Sequence, residues 1–366
     1  MKDMGTETRK QRNYGIDLLR MIAMLMVVIL HILGKGGVLQ AAPPLSIRYE
    51  TAWLLETAAY CAVDCYALIS GYVGFGTRCR YADLAALWLR VVFYTVTITA
   101  VFALVLPGSV SAGEWLRAIF PVMFNQYWYF TAYFCLFLFL PLINAAVNGL
   151  KREELRRLVL ALVAFLSVLP TVLRRDTFGL QGGYGPLWLI TVYVIGAYLG
   201  KYDALRKITP PKALLGYGTV VGVSWLVKLG ADHGMLSFFG ESSGVLISYT
   251  SPTILGAGIF LLALFRGLRL PLWLQKLVAA ASPLAFSVYL IHAQPLVWKY
   301  IITDGFTAFA GRSAPLLLLG VLGTALTIYV FCSLIDLLRA DLFSRLRVRD
   351  RLRNLEDRIT GSARSH

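Results

Sequence analysis

The chain has 366 residues, 58% of them hydrophobic and only 15% charged, with a formal net charge of +15. Its apolar runs of about 18 to 25 residues match a hydrocarbon core of ~30 Å at ~1.5 Å rise per residue, which excludes a soluble domain and predicts an all-α, polytopic membrane protein. The basic residues gather at the chain ends and in alternate connections, a distribution that excludes nucleic acid as their partner.

In chain order the hydrophobic pattern predicts about ten transmembrane helices, over 16–34, 52–74, 83–106, 127–148, 156–173, 186–200, 213–230, 246–265, 278–300 and 314–338. Most of the 35 Lys and Arg fall in the two ends and the even-numbered loops, which places both termini in the cytoplasm. Residues 1–338 form the membrane domain and 339–366 a basic cytoplasmic tail. Leu338 and the tail's Leu342, Leu346, Leu352, Leu355 and Ile359 are spaced as in an amphipathic helix on anionic lipids; a solvated tail that only enforces topology fits equally well.

The first span carries Arg20 and His31 (IDLLRMIAMLMVVILHIL). Each ionisable group inside a membrane helix costs roughly 2.5 kcal/mol or more, so its retention points to a function or a partner. Asp17 and Arg20 within the run, and the lack of a small-residue cleavage site, argue against a cleaved signal peptide. The second span holds Glu56 and Asp64, the following loop Arg78 and Arg80, and the third span Arg90. In the sixth, Gly196 and Gly200 form a small-xxx-small pair of the kind that packs helices closely. His292 lies in the ninth. The five cysteines lack paired metal-ligand spacing, and neither a metal nor a disulfide is expected.

With the N-terminus inside, these groups sort into two layers. Arg20 lies near the inner boundary and His31 roughly 16 Å further along its helix. His292 and Asp64 belong near the depth of His31, with Glu56 two turns above Asp64. The arginines Arg20, Arg78, Arg80 and Arg90 form a cationic layer suited to phosphate, and a histidine at the far end suits general base work.

At these residues the chain resembles the acyltransferase 3 family of bacterial integral membrane acyltransferases. The resemblance rests on the R-x10-H motif from Arg20 to His31, on VDCYALISGY (63–72), YWYFTAYFCLFLFLPLIN (127–144), WLITVYVIGAYLGKY (188–202) and SPLAFSVYLIH (282–292). It implies transfer of an acyl group, usually acetyl, from cytoplasmic acetyl-CoA or another acyl-CoA to a hydroxyl of a glycan or lipid-linked sugar, in a bacterial inner membrane. His31 is the implied base, with Asp64 or His292 orienting or stabilising it. Arg20, Arg78, Arg80 and Arg90 are the implied CoA contacts, and Glu56, Trp128, Tyr133 and Trp188 the expected acceptor-side residues. Two positions depart from the family pattern. Tyr133 and Phe134 stand where many members have a glutamate pair, and Leu87 breaks the R-x-x-R that would end at Arg90. The same intramembrane Arg, Asp and His groups also suit a transporter or flippase.

Overall fold

The computed structural model describes residues 12–77, 79–236 and 244–361; Arg78, expected among the CoA contacts, lies outside them. Among the described residues the chain is all-helical. Among these residues eight helical stretches are long and apolar enough to cross a membrane, and shorter apolar helices occupy the sixth and eighth expected stretches.

Helix α1 (Tyr14–Leu33) starts where the Asn13 side chain accepts a hydrogen bond from the Ile16 amide, with Asp17 in the first turn where a negative charge suits the helix dipole. After the single turn α2 (Val38–Ala41), Ser46 caps α3 (Ile47–Ala59) by accepting from Tyr49 N. The second span breaks at Tyr60 and Cys61 and resumes as α4 (Ala62–Gly74). Helix α5 (Tyr81–Val105) is followed by the short α6 (Ala112–Ile119), closed by a reciprocal capping box between Ser111 and Glu114. Helices α7 (Trp128–Gly149), α8 (Arg152–Val163) and α9 (Leu169–Leu173) follow, with a π-helical turn over Ala164–Val168 joining the last two just before Pro170. Next come α10 (Pro186–Lys201), α11 (Pro210–Asp232) and α12 (Pro252–Arg266).

The ninth span is α13 (Leu272–Ala281) and α14 (Ala285–His292), separated by a 3-10 turn at Ser282–Leu284 that contains Pro283. It stops at His292, short of the expected residue 300. Gln294 precedes Pro295, is pushed to an extended conformation, and caps α15 (Pro295–Val297) through its side chain. Helix α16 (Ala314–Arg345) runs unbroken past 338, the expected edge of the membrane domain. Its Arg339, expected in the tail, is buried, donating two hydrogen bonds to Asp336, which also accepts from Tyr94 Oη at 2.5 Å. Helix α17 (Val348–Ile359) is amphipathic.

Helix α1 lies between two apolar cores. One is built with α4, α7, α10 and α12 around Leu19, Leu68, Leu136, Trp188 and Leu262; the other, with α14 and α16, around Val28, Leu33, Val288, Leu290 and Val321. Of its apolar window 61% is buried, against 22% for α5, α11 and α16, so α1 is interior and those three present apolar faces outward, as lipid requires. Helices α4 and α10 approach most closely at their glycines. A Cβ on Gly71 would overlap the Tyr193 carbonyl, and Cβ atoms on Gly196 and Gly200 would overlap the carbonyls of Leu68 and Tyr72. The glycine of the SGY segment and the small-xxx-small pair are therefore two halves of one contact.

Candidate functional site: a histidine pair at the wall of a buried cavity

His31, in the last turn of α1, and His292, the last residue of α14, meet side to side, with Nδ1 of His31 2.7 Å from Nε2 of His292. Nδ1 of His292 lies 2.6 Å from the Val288 carbonyl oxygen, one turn back on its own helix. A carbonyl only accepts, so His292 must carry its proton on Nδ1, and in a neutral ring Nε2 is then an acceptor. His31 Nδ1 therefore donates to it. The chain of donors ends on His31, which is left with an unprotonated Nε2. The tautomer needed for a general base is thus dictated by a backbone oxygen two rings away.

His31 lines a cavity of about 510 Å³, within the ~300–1,000 Å³ range of small-molecule sites. The cavity extends from Gly34, Lys35 and Gln40, just beyond the end of α1, down to Met24, one turn above Arg20. Glu56 and Trp128 of the expected acceptor-side residues line it. So do Tyr60, Tyr184, Tyr249 and Trp298, which were not singled out from the sequence. The Trp298 ring packs edge-on against His31 with centroids 5.0 Å apart, and its indole N–H is buried without a hydrogen-bond partner.

Asp64 is elsewhere. It is fully buried and accepts a hydrogen bond from Trp188 Nε1 at 2.9 Å, so Asp64 and Trp188 serve the α4–α10 packing and neither lines the cavity. The reason is rotation. Eight residues at 3.6 per turn already turn Asp64 off the Glu56 face, and the break at Tyr60 and Cys61 turns α4 further. Of the two residues considered as partners of His31, only His292 touches it. Tyr133 stacks on Tyr129, which itself lines the cavity, and so stands one layer behind the wall.

At the other end of α1, Arg20 pairs with Asp17 at 2.5 Å, and Arg12 pairs with the second oxygen of the same carboxylate at 2.5 Å. The two guanidinium groups on one carboxylate leave a net positive charge. Arg12 also donates to Ser282 Oγ at 3.1 Å, and Arg90 Nη1 donates to the neighbouring Pro283 carbonyl at 3.4 Å. The turn between α13 and α14 therefore gathers Arg12, Arg20 and Arg90. Arg12 precedes the first apolar run and gave no signal in the hydrophobic pattern. Arg80 does not join this group. Its guanidinium is held by Glu356 at 2.9 Å and by Asp357, while Asp83 takes Arg349 at 2.8 Å and Arg353 at 2.9 Å, so Arg80 fastens α17 to the start of α5. Among the described residues no group of three or more His, Cys, Asp or Glu side chains is placed to hold a metal ion.

Residues 13–336 match the family model of the acyltransferase 3 domain, described as an acyltransferase domain. The chain belongs to this family. As a member of the acyltransferase 3 family it is a membrane acyltransferase, and the match ends at Asp336, short of the α17 helix. No curated protein and no solved structure matches it.

Proposed function

We propose that this acyltransferase moves an acyl group, acetyl foremost, from cytoplasmic acyl-CoA to a hydroxyl of an extracytoplasmic glycan or lipid-linked sugar, in the cytoplasmic membrane of a bacterium. The observation that carries the reading is the His31–His292–Val288 chain, which leaves a lone pair on His31 Nε2 at the wall of a buried cavity.

His31 Nε2 takes the proton of the acceptor hydroxyl as its oxygen attacks the thioester carbonyl. The new C–O bond forms, the C–S bond breaks, and the proton passes from His31 to the departing thiolate. His292 keeps the base in its reactive tautomer and shares the charge that develops on it, the part the third group plays in catalytic triads. The unpartnered indole N–H of Trp298 is a donor of the kind that the developing oxyanion needs. Arg12, Arg20 and Arg90 at the opposite end of α1 suit the phosphates of the donor, roughly 16 Å below His31, a distance that a pantetheine arm has to cover. In this arrangement both termini face the cytoplasm and α17 rests on an anionic leaflet.

Purified protein in detergent, given acetyl-CoA and a soluble glycan acceptor, is expected to release CoA and acylate the glycan. Arg20→Ala and Arg90→Ala are expected to weaken CoA binding in calorimetry without lowering the melting temperature. Uptake of a solute without thioester cleavage would make the protein a transporter instead, and wild-type CoA affinity in both arginine variants would remove the phosphate anchor.

A further inference from the structure

The cavity holds a second polar group that the proton transfer does not use. Glu56 is 8% exposed and lines the same cavity as His31, and its Oε2 is buried without a hydrogen-bond partner. A carboxyl in a buried wall is costly unless something hydrogen-bonds to it, so the missing partner points to a ligand with hydroxyl donors. Around it stands an aromatic surface assembled from four separate parts of the chain. Tyr60, one turn from Glu56, lies against Tyr249 with centroids 4.8 Å apart, Trp128 lies nearly parallel to Tyr249 at 5.9 Å, and Tyr184 touches both Trp128 at 4.5 Å and Tyr249 at 5.2 Å. Aromatic faces present negative potential and attract the polarised C–H face of a saturated ring, while the equatorial hydroxyls of that ring project sideways toward a directional acceptor.

We propose that Glu56 and the Tyr60, Trp128, Tyr184 and Tyr249 rings form a subsite for one uncharged sugar ring of the acceptor, stacked on the rings and hydrogen-bonded through its hydroxyls to Glu56. The proposal rests on the acyl-transfer reading above and adds the class of acceptor. A purely aliphatic alcohol would leave Glu56 unpaired in a buried wall, and an acidic sugar would bury its charge beside Glu56 with no cation, among the described residues, at that end of the cavity. The cavity's lysine, Lys35, sits instead over Trp298 at the His31 end, 5.7 Å from the ring centroid.

The test uses the full-length protein in detergent and three probes: methyl β-glucoside, methyl glucuronide and octanol. Binding is followed by calorimetry without donor. The glucoside is expected to bind, and the glucuronide and octanol to bind at least about ten-fold more weakly. Glu56→Ala is expected to weaken glucoside binding about ten-fold, the loss of one buried hydrogen bond, while Glu56→Gln, which keeps an acceptor oxygen, stays within about three-fold. Trp128→Leu, which keeps the site apolar but removes a ring, is expected to weaken it as well, and His31→Ala to leave it unchanged. Equal affinity in wild type and Glu56→Ala, equal affinity for glucoside and glucuronide, or no glucoside binding would each overturn the subsite. CoA release from acetyl-CoA, compared between wild type and His31→Ala, separates the two claims. His31-dependent thioester cleavage without glucoside binding sinks the subsite alone, and Glu56-dependent binding without cleavage sinks the transfer reading alone.

Discussion

Replacing His292 by Ala removes the acceptor that holds the His31 Nδ1 proton, and the cost follows from the two bonds in the chain. Only the gain between ground state and transition state affects the rate. A neutral hydrogen bond contributes about 0.5–1.5 kcal/mol and one to a charged group about 1.5–3, so charging His31 strengthens the contact by roughly 1–2 kcal/mol, or about 5- to 30-fold. Loss of tautomer control costs a further factor of about two to five, because the proton is then free to sit on either ring nitrogen. The expected deficit in kcat is about 10- to 100-fold, with the KM for acyl-CoA unchanged. His31→Ala removes the base itself and should cost about 10²–10⁴-fold. His292→Gln, whose amide oxygen is able to accept from His31, should recover much of the deficit. The assay is initial-rate CoA release in detergent, with thermal melting to confirm folding. A His292→Ala rate equal to wild type would remove the relay from the mechanism. A loss in His292→Ala exceeding that in His31→Ala would move the base to the end of α14.

Other parts of the structure make their own predictions. Gly196→Leu drives a side chain into the Leu68 carbonyl and should destabilise the protein by about 1–3 kcal/mol or more; an unchanged melting temperature would show that the α4–α10 approach is not tight. Burial works against the charged form of Glu356, but the Arg80 guanidinium and the backbone amides at the start of α5 outweigh it and hold the carboxyl below its ordinary 4.5. A depressed acid stabilises docking above its free value and loses that contribution as pH falls, so the protection of Val348–Ile359 amides, measured against the unfolded exchange rate at each pH, should decline once the pH drops below the ordinary 4.5, and Glu356→Gln should show reduced protection already at neutral pH. A cysteine in place of the exposed Met235, with native cysteines removed, should react with an impermeant thiol reagent added outside intact cells. Labelling only after permeabilisation would invert the proposed topology.

Position along the helices was legible in the sequence of this protein and rotation about them was not. Rise per residue put His31 and His292 at one depth, and the structure joins them. The same arithmetic put Asp64 there too, but depth carries no azimuth, and the break at Tyr60–Cys61 sends Asp64 to Trp188 while Glu56 keeps the cavity. Arg80 and Arg90 looked alike as cations near one boundary. They differ because α17 folds back to take Arg80, a contact between residues 276 positions apart that no local pattern encodes. Trp298 and the Tyr60, Tyr184 and Tyr249 rings were not singled out, because an unpartnered N–H and a shared wall exist only once the helices are assembled. Gly196 and Gly200 were readable because their message is local: a missing side chain permits close approach whichever helix arrives.

The two histidines are 261 residues apart, and this separation has a consequence for how the protein is made. Synthesis proceeds from the N-terminus, so α1 enters the bilayer with His31 already in place and waits through seven further spans for the residue that fixes its proton. Until α14 arrives, the reactive nitrogen of His31 is undefined and the ring must borrow water or a neighbour. On the proposed mechanism an immature chain therefore carries the base before its partner, and full activity waits until the ninth span has docked against the first.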